Sequence, residues 1–500
     1  MKLLTKLERC KEFWWLLGIL SFFFLLRLPS LFEPYWYGDE GIYQIVGLAL
    51  REGRMLYAEA WDNKPPLLYL TYALFNSEQF YVKLASLLSG LFSISIFFYL
   101  SQALVRNFRI TLIITILFAS LIGLPIIEGN IANAENFMMP LILAAGYLLF
   151  TLKRKDRPFT HFSERTILII AGILLGTAFL YKTVAIFDFA AFFIFLIITM
   201  LPKERKPFHL HHIMQQHRNQ LLLFSLSFLT PFFISVLFFL FAGTLTFYLQ
   251  AIFFSNVGYV NYNNVLLIPQ GLLLIKSVLL ILLILYLFLR HHTFSSQFLF
   301  VVLWAGFALF NSFFSQRPYT HYMLVLLPSF CLMLGLVLAK KEKNKTLLLS
   351  LTVIIFLLAI NFFDRWSVQR TTTYYTNFLS FVTNQRSLRE YQAFFDSQTP
   401  RDTNVAYYLK NNLPKNASVF IWGNSAQMYT LSDKRPPTRF VVAYHVLTNK
   451  ETQQETQIDL ERIKPTFIAI LPNIESYPFP MYNYAHKITI EDVQIYERIY

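Results

Sequence analysis

The chain becomes apolar almost at once, with FWWLLGILSFFFLLRLPSLF at residues 13 to 32. A helix of about 20 apolar residues crosses the hydrocarbon core of a bilayer. Several basic residues precede this run in the manner of a signal peptide, but no small-residue cleavage site follows Phe32. The sequence therefore predicts a retained first membrane span.

Composition extends this interpretation to most of the chain. Of the 500 residues, 55% are hydrophobic and only 14% are charged, and 53 are Phe. A soluble domain carries roughly 25% charged residues. The sequence therefore predicts a polytopic α-helical membrane protein with about 11 transmembrane helices. The eleven predicted spans are residues 13–32, 79–104, 109–127, 134–152, 166–182, 184–201, 221–242, 270–290, 296–314, 320–339 and 345–362.

The apolar runs stop near Ile360, which divides the chain into a transmembrane domain, residues 1–362, and a small soluble domain, residues 363–500. The soluble part alternates helical and strand patterns, which predicts an α/β domain. The predicted elements are helices at Asp402 to Asn412 and Glu451 to Arg462, and strands at Ser418 to Trp422 and Thr466 to Leu471.

Basic residues fall in alternate loops, which is typical of cytoplasmic loops. These residues are Arg106, Arg109, Lys153, Arg154, Lys155, Arg157, Lys203, Arg205, Lys206, Arg290, Lys340, Lys341, Lys343 and Lys345. The pattern predicts a protein of the cytoplasmic (inner or plasma) membrane, with a cytoplasmic amino terminus and an extracytoplasmic carboxyl-terminal domain. It also accounts for the net charge of +14 without a nucleic-acid partner.

Cysteine and histidine show no metal-site or disulfide pattern. Cys10 and Cys331 are the only cysteines, and neither belongs to a CxxC pair. Four histidines crowd one basic loop, but no Cys or Asp accompanies them, so no metal site is predicted there. They are His209, His211, His212 and His217.

The first outer loop, residues 33–78, holds the residues best suited to chemistry. Asp39 and Glu40 are adjacent carboxylates that open an amphipathic helix, which stops at Gly53. A helix of this kind is expected on the membrane surface. The acidic pair has an ordinary alternative role, because carboxylates at a helix start favour its dipole.

A second motif in the same loop is Asp62-Asn63-Lys64-Pro65-Pro66-Leu67. Two prolines fix the backbone after the lysine, so its ammonium is expected at the membrane interface, at the depth of a lipid phosphate. An ordinary snorkelling lysine is the alternative. That alternative does not account for the Asp, the Lys and the two prolines together.

Other outer loops add further candidates. Glu128 and Glu135 lie in the second outer loop, where Glu135 starts a helix and has helix capping as its alternative role. Lys182 separates two apolar runs, and Arg317 precedes His321 and Tyr322 at the end of another span. Together with Lys64, the cations Lys182 and Arg317 suggest one anionic ligand, because cations of fixed geometry serve phosphate well. Contact with lipid head groups is the alternative.

These motifs resemble the C-type (GT-C) glycosyltransferases, a family that includes the protein O-mannosyltransferases and the lipid A aminoarabinose transferases. The resemblance rests on Asp39-Glu40 after the first span and on Asp62 to Leu67. It rests also on Glu135, Lys182, Arg317, His321-Tyr322 and the terminal outer domain.

The resemblance implies a polyprenyl-phosphate sugar as donor, an acidic general base at Asp39, and a lysine on the donor phosphate at Lys64. The residues expected in catalysis are Asp39, Glu40 and Glu135. Those expected at the donor phosphate are Lys64, Lys182, Arg317, Asp62, His321 and Tyr322. One direct displacement would invert the anomeric carbon.

The acceptor stays open among glycan, lipid and protein. The sequence identifies no cofactor, and whether Glu40 and Glu135 hold a divalent metal ion stays open. The rival functions are a transporter or flippase of lipid-linked sugars, and a glycan polymerase or ligase that uses a lipid diphosphate.

Overall fold

The structure is a computed structural model of the chain, and it describes twelve stretches. They are residues 11–154, 161–202, 210–260, 264, 270–315, 317, 319–339, 344–363, 368–414, 417–472, 474–475 and 481–499. Several residues of the sequence interpretation lie outside these stretches: Cys10, Lys155, Arg157, Lys203, Arg205, Lys206, His209, Lys340, Lys341 and Lys343.

The chain forms two compact units. The first, called here the helical unit, comprises Met1–Leu28, Ala85–Phe241 and Phe253–Thr371. The second, the mixed unit, comprises Pro29–Leu84, Ala242–Ile252 and Thr372–Tyr500. This division differs from a single cut near residue 362, because the first loop joins the carboxyl-terminal part of the chain.

Each of the eleven apolar segments contains a helix. The helices are Lys11–Arg27, Gln79–Val105, Phe108–Gly123, Ala134–Thr151, Glu164–Phe179, Ile186–Met200, Leu210–Phe241, Gly271–Leu289, Ser296–Ser312, Leu327–Leu338 and Lys345–Phe363. Within the described stretches, seven helical segments are long and apolar enough to cross a membrane. The chain is therefore a polytopic membrane protein, and the count of eleven crossings stays a prediction.

The break at Lys182 is confirmed. One helix ends at Phe179, a 3-10 turn covers Thr183–Ala185, and the next helix starts at Ile186. The helix before the break packs tightly on Leu210–Phe241. Its Gly172 and Gly176 are four residues apart, and a Cβ at either would collide with Ser227 Cβ or Phe228 O. Small residues at this spacing let membrane helices approach closely.

The mixed unit carries a four-stranded sheet in the order β1-β2-β4-β3. The strands are β1, Val419–Trp422; β2, Phe467–Ile470; β3, Tyr484–Ile490; and β4, Val493–Arg498. β1 and β2 are parallel, and the other pairs are antiparallel. Parallel strands need a crossover, which here includes the helix Lys450–Ile463. The predicted helices and strands of this region are confirmed, and the β3–β4 hairpin was not foreseen.

The mixed unit contains further helices, which come before or between the strands in the sequence. Two of them belong to the first loop. The further helices are Gly38–Arg51, Pro66–Leu74, Leu245–Leu249, Val368–Val382, Leu388–Phe395, Thr399–Asn412, Gln427–Ser432 and Ala443–Val446. One sequence expectation is corrected here. The apolar stripe of Gly38–Arg51, Ile42, Val46 and Ala49, is buried inside the protein rather than turned towards a membrane surface.

A buried ion network fixes the first loop. The Lys83 ammonium lies 2.7 Å from Glu33 Oε2 and 3.3 Å from Glu40 Oε2. The Tyr374 hydroxyl donates to Glu33 Oε1 at 2.6 Å. Lys83 is fully buried, so its charge must be compensated by protein groups such as these carboxylates. The network connects the start of the first loop with three helices. These are Gly38–Arg51, Gln79–Val105 and Val368–Val382.

We expect Lys83→Met to lower the free energy of unfolding by about 3 to 5 kcal/mol, because it leaves two buried carboxylates without their cation. Lys487→Met is the matched control, since Lys487 forms a partly exposed pair with Glu497 and such pairs contribute about 0 to 1 kcal/mol. Unfolding of both variants in mixed detergent micelles measures the difference. Equal losses would contradict a structural role for Lys83.

Candidate functional site

The first cluster of functional side chains, the Lys64 cluster, lies in the mixed unit and consists of Asp39, Tyr43, Asp62, Lys64 and Tyr69. The Lys64 ammonium lies 3.7 Å from Asp39 Oδ2 and 3.6 Å from Asp62 Oδ2. It also lies 4.8 Å from the centre of the Tyr43 ring. The structure thus brings together the two motifs of the first loop, as their proximity in sequence predicted.

The two carboxylates of this cluster differ in exposure. The Asp62 side chain is 3% exposed and the Asp39 side chain is 34% exposed. Asp62 accepts hydrogen bonds from the Tyr69 hydroxyl at 2.7 Å and from the Asn63 N–H at 2.8 Å. Burial alone would raise the pKa of Asp62, but Lys64 and these hydrogen bonds lower it. Asp62 is therefore a fixed anion beside Lys64.

Local sequence explains how the two tyrosines reach the cluster. Tyr43 follows Asp39 by four residues on one helix, a spacing that places side chains on the same face. Its hydroxyl donates to Asp39 Oδ2 at 3.1 Å. Burial and the neighbouring Asp39 raise the pKa of Tyr43 well above its usual value, so the hydroxyl keeps its proton. Tyr69 lies in the helix that begins after Pro65.

Glu40 lies apart from its neighbour Asp39. Its carboxylate is buried and pairs with Lys83. Adjacent residues on an α-helix point about 100° apart, so the acidic pair divides between two surroundings. Glu40 contributes to the buried network, whereas Asp39 contributes to the Lys64 cluster.

The second cluster, the Lys182 cluster, lies in the helical unit and consists of Glu128, Glu135, Lys182, Thr320, His321 and Tyr322. Lys182 Nζ forms an ion pair with Glu135 Oε1. The same ammonium lies 4.5 Å from the centre of the Tyr322 ring. Three loops that were predicted on the same side of the membrane therefore meet in this cluster.

His321 joins the two glutamates of the second cluster. Its Nδ1 donates to Glu128 Oε2 at 2.7 Å, and its Nε2 lies 3.9 Å from Glu135 Oε1. The Thr320 hydroxyl donates to the other oxygen of Glu128 at 2.7 Å. Glu128 has a positive φ of 58°, an uncommon conformation for a residue other than glycine. The loop conformation thus turns its carboxylate to the segment Thr320–Leu326.

Arg317 lies just before this segment and is half-buried, with its backbone N–H directed at Ser315 Oγ. The three cations expected to share one anion are thus divided. Lys64 belongs to the mixed unit, and Lys182 and Arg317 belong to the helical unit. Their common ligand stays a prediction.

The surroundings of Glu40 and Glu135, the two carboxylates considered for a metal ion, do not favour metal binding. Glu40 pairs with Lys83, and Glu135 pairs with Lys182. An ammonium beside a carboxylate opposes the binding of a second cation at the same oxygen atoms. Among the described residues, no group of three or more His, Cys, Asp or Glu side chains forms a metal-binding arrangement. We therefore derive no chemical step through a metal ion.

Sequence analysis missed His445, which borders the Lys64 cluster. Its Nε2 lies 3.8 Å from Asp62 Oδ1, and its ring contacts the Trp61 ring with centroids 4.8 Å apart. No local sequence pattern predicts this contact, because His445 is far from Asp62 in the sequence. Tyr43 was also missed, although its four-residue distance from Asp39 was a usable signal.

We expect Lys182→Met to destabilise the protein by about 3 to 5 kcal/mol, because it leaves the buried Glu135 carboxylate without its ammonium partner. Glu135→Gln should cost less, since the Lys182 ammonium is partly exposed. In a double-mutant cycle, the double variant should lose less than the sum of the two. Lys153→Met, at an exposed position, is the control. Additive losses in detergent unfolding would show that the pair is not coupled.

Comparison with known proteins supports the fold. No protein-family model and no curated protein matches the sequence. ArnT from Cupriavidus metallidurans, in a crystal structure bound to undecaprenyl phosphate, is 12% identical with a TM-score of 0.53. The match covers 96% of this chain and 97% of that chain.

The archaeal oligosaccharyltransferase AglB from Archaeoglobus fulgidus, in complex with an inhibitory peptide and a dolichol-phosphate, is 13% identical with a TM-score of 0.44. That match covers 92% of this chain and 69% of that chain, and its low score adds no weight. The likeness to ArnT establishes architecture. The chain has the fold of the C-type membrane glycosyltransferases, as its motifs predicted.

Proposed function

We propose that this protein is a glycosyltransferase that moves a sugar from a polyprenyl-phosphate donor to an acceptor at the outer face of the cytoplasmic membrane. The observation that carries the proposal is the Lys64 cluster, in which one ammonium lies within 4 Å of both Asp39 and Asp62. A general base and a cation for the leaving phosphate are the two groups that this reaction needs.

Asp39 is the general base in this proposal. It is the more exposed of the two carboxylates beside Lys64, so an acceptor hydroxyl or amine can reach it. The Tyr43 hydroxyl donates a hydrogen bond to Asp39 Oδ2. This bond leaves Oδ1 to accept the proton of the acceptor.

Lys64 binds the donor phosphate in this proposal. Its distances of 3.6 and 3.7 Å to the two carboxylates are longer than a hydrogen-bonded ion pair. An ammonium has three N–H donors, so Lys64 can direct one of them at a phosphate while it stays near the two carboxylates.

The reaction proceeds as one displacement. The acceptor oxygen or nitrogen forms a bond to the anomeric carbon while its proton passes to Asp39. The bond from that carbon to the phosphate oxygen breaks, and polyprenyl phosphate leaves with the electron pair. Lys64 stabilises the negative charge that grows on the phosphate. Attack opposite the leaving group inverts the anomeric configuration.

The fold supports this assignment, because this chain shares the architecture of ArnT, whose crystal structure contains bound undecaprenyl phosphate. The Lys182 cluster is a second candidate for contact with an anionic part of the substrate, since Lys182 keeps some exposure beside its buried partner Glu135. Arg317, His321 and Tyr322 belong to the same proposal. Glu40 acts on the site only by fixing the helix of Asp39.

We expect Asp39→Asn to lower turnover by about 10² to 10⁴, the usual contribution of general-base catalysis. Lys64→Gln should instead raise the KM for the donor as well as lower turnover, because it removes a phosphate contact. Release of polyprenyl phosphate from labelled polyprenyl-phosphate sugars, with purified protein in detergent, measures both effects. Asp459→Asn, which removes a carboxylate far along the chain beside Arg462, is the control.

Full turnover by folded Asp39→Asn would remove Asp39 as the base. No release by the wild type from any monophosphate donor would move the assignment to a lipid-diphosphate donor. Uptake of an intact lipid-linked sugar into vesicles would identify a flippase instead.

A further inference from the structure

Gly41 lies two residues after the proposed base Asp39, near the start of the helix Gly38–Arg51. It is buried, and its φ is not positive. An alanine could therefore adopt the same backbone conformation, and it would favour a helix more than glycine does. The conformation of the chain does not explain a glycine at this position.

The close approach of the carboxyl-terminal domain explains the glycine. A Cβ on Gly41 would lie 2.7 Å from the backbone nitrogen of Gln427 and 2.8 Å from its Oε1. Both distances are well inside the roughly 3.5 Å at which non-bonded heavy atoms meet. A side-chain oxygen can rotate away, but a backbone nitrogen cannot. By contrast, a Cβ on Gly38 of the same helix would meet no described atom within 4 Å.

The same stretch of the carboxyl-terminal domain also contacts the other end of this helix. Arg435 Nε forms an ion pair with Glu52, the residue at the C-cap of the helix. Arg54 Nη1 donates to Pro436 O at 3.4 Å. We call residues 427–436 the clamp, because its first residue meets the start of the helix and its last residues meet the end.

The backbone of Lys64 is fixed by hydrogen bonds of its own. The Tyr57 hydroxyl donates to Lys64 O at 2.8 Å, and the Lys64 N–H donates to the Tyr69 hydroxyl at 3.2 Å. Asp39 instead takes its position from the helix that carries it. A displacement of this helix against the clamp would therefore move Asp39 more than Lys64.

We propose that Gly41 and Gln427 are positioning residues of the sugar-transfer site, and that their direct contact sets the position of the Asp39 carboxylate. This inference rests on the function proposed above, and it makes the carboxyl-terminal domain part of the catalytic apparatus. The buried pair of Glu40 and Lys83 fixes the helix from one side, and the clamp fixes it from another. General-base catalysis requires such control, because proton transfer depends steeply on geometry.

The test compares the same substitution at two positions of one helix, on either side of Asp39. Gly41→Ala and Gly38→Ala both replace a poor helix former with the best one. Only Gly41→Ala places a methyl group against Gln427. We expect Gly41→Ala to lower kcat about 10- to 100-fold, because a misplacement of about 1 Å can have an effect of this size. Gly38→Ala should keep the kcat of the wild type.

Donor binding separates positioning from a general structural defect. The KM of Gly41→Ala for the donor should stay within about twofold of the wild type, because Lys64 keeps its place. Direct binding of radiolabelled undecaprenyl phosphate in detergent should be unchanged as well. Equal kcat values in the two alanine variants would overturn the role of the contact. A joint loss of binding and turnover in Gly41→Ala would also overturn it.

A crosslink tests the clamp even if Gly41→Ala does not fold. Glu52→Cys and Arg435→Cys place two thiols where the partly exposed ion pair stands. Cys10→Ser and Cys331→Ala remove the two native thiols. A short bis-maleimide then joins the clamp to the end of the helix. We expect turnover to survive the crosslink, because the clamp stays on the helix throughout the reaction.

The single-cysteine variants, treated with the same reagent, are the controls for the crosslink. Loss of turnover in the crosslinked protein alone would show that the helix must leave the clamp, and it would overturn the inference. Failure of the proposed function looks different. A folded wild type that releases no polyprenyl phosphate from any monophosphate donor would refute the donor assignment itself, whereas an active wild type matched by Gly41→Ala would refute only the positioning contact.

Discussion

The buried ammonium of Lys83 is the constraint on which the first loop depends. It holds Glu33 at the beginning of the loop and Glu40 on the helix Gly38–Arg51. Removing charges from water is costly, and each charge here is tolerated only because the others are present. Since Glu40 is held inward, its neighbour Asp39 must point about 100° away around the helix. The buried network thereby sets the direction of the proposed base.

Distance distinguishes Lys64 from Lys83 and Lys182, which also pair with carboxylates. Lys83 is fully buried at 2.7 Å from Glu33, and Lys182 forms a close pair with the buried Glu135. Lys64 lies 3.6 and 3.7 Å from its two carboxylates and keeps some exposure. Close buried pairs hold a fold together, because neither partner can leave without stranding the other. Lys64, which lies farther from its two carboxylates and is partly exposed, is the ammonium best placed to meet a phosphate.

Sequence reasoning succeeded where the signal is local. Hydropathy located the apolar helices, and the two motifs of the first loop carry side chains that the structure brings together around Lys64. Both signals depend on residues that are near in sequence, and the role of Lys64 stays a prediction. Sequence reasoning failed where the contact partner is distant in the sequence, and where the surroundings decide which way a side chain faces. The apolar stripe at Ile42 and Val46 could equally have faced lipid or protein, and the structure buries it in protein. His445 has no sequence pattern that connects it with Asp62, since their contact exists only after the carboxyl-terminal domain folds.

Burial also distinguishes the two carboxylates of the Lys64 cluster. Asp39 and Asp62 lie at similar distances from Lys64, so charge alone does not decide which accepts a proton. Asp62 is buried and already accepts from Tyr69 and Asn63, and its pKa is lowered. It therefore makes a poor base and a good anchor. Asp39 is reachable and accepts from Tyr43 at one oxygen, which leaves the other for the acceptor. A general base must be accessible to the acceptor, whereas a carboxylate that only fixes Lys64 can be buried. Asp39 meets the first requirement and Asp62 the second.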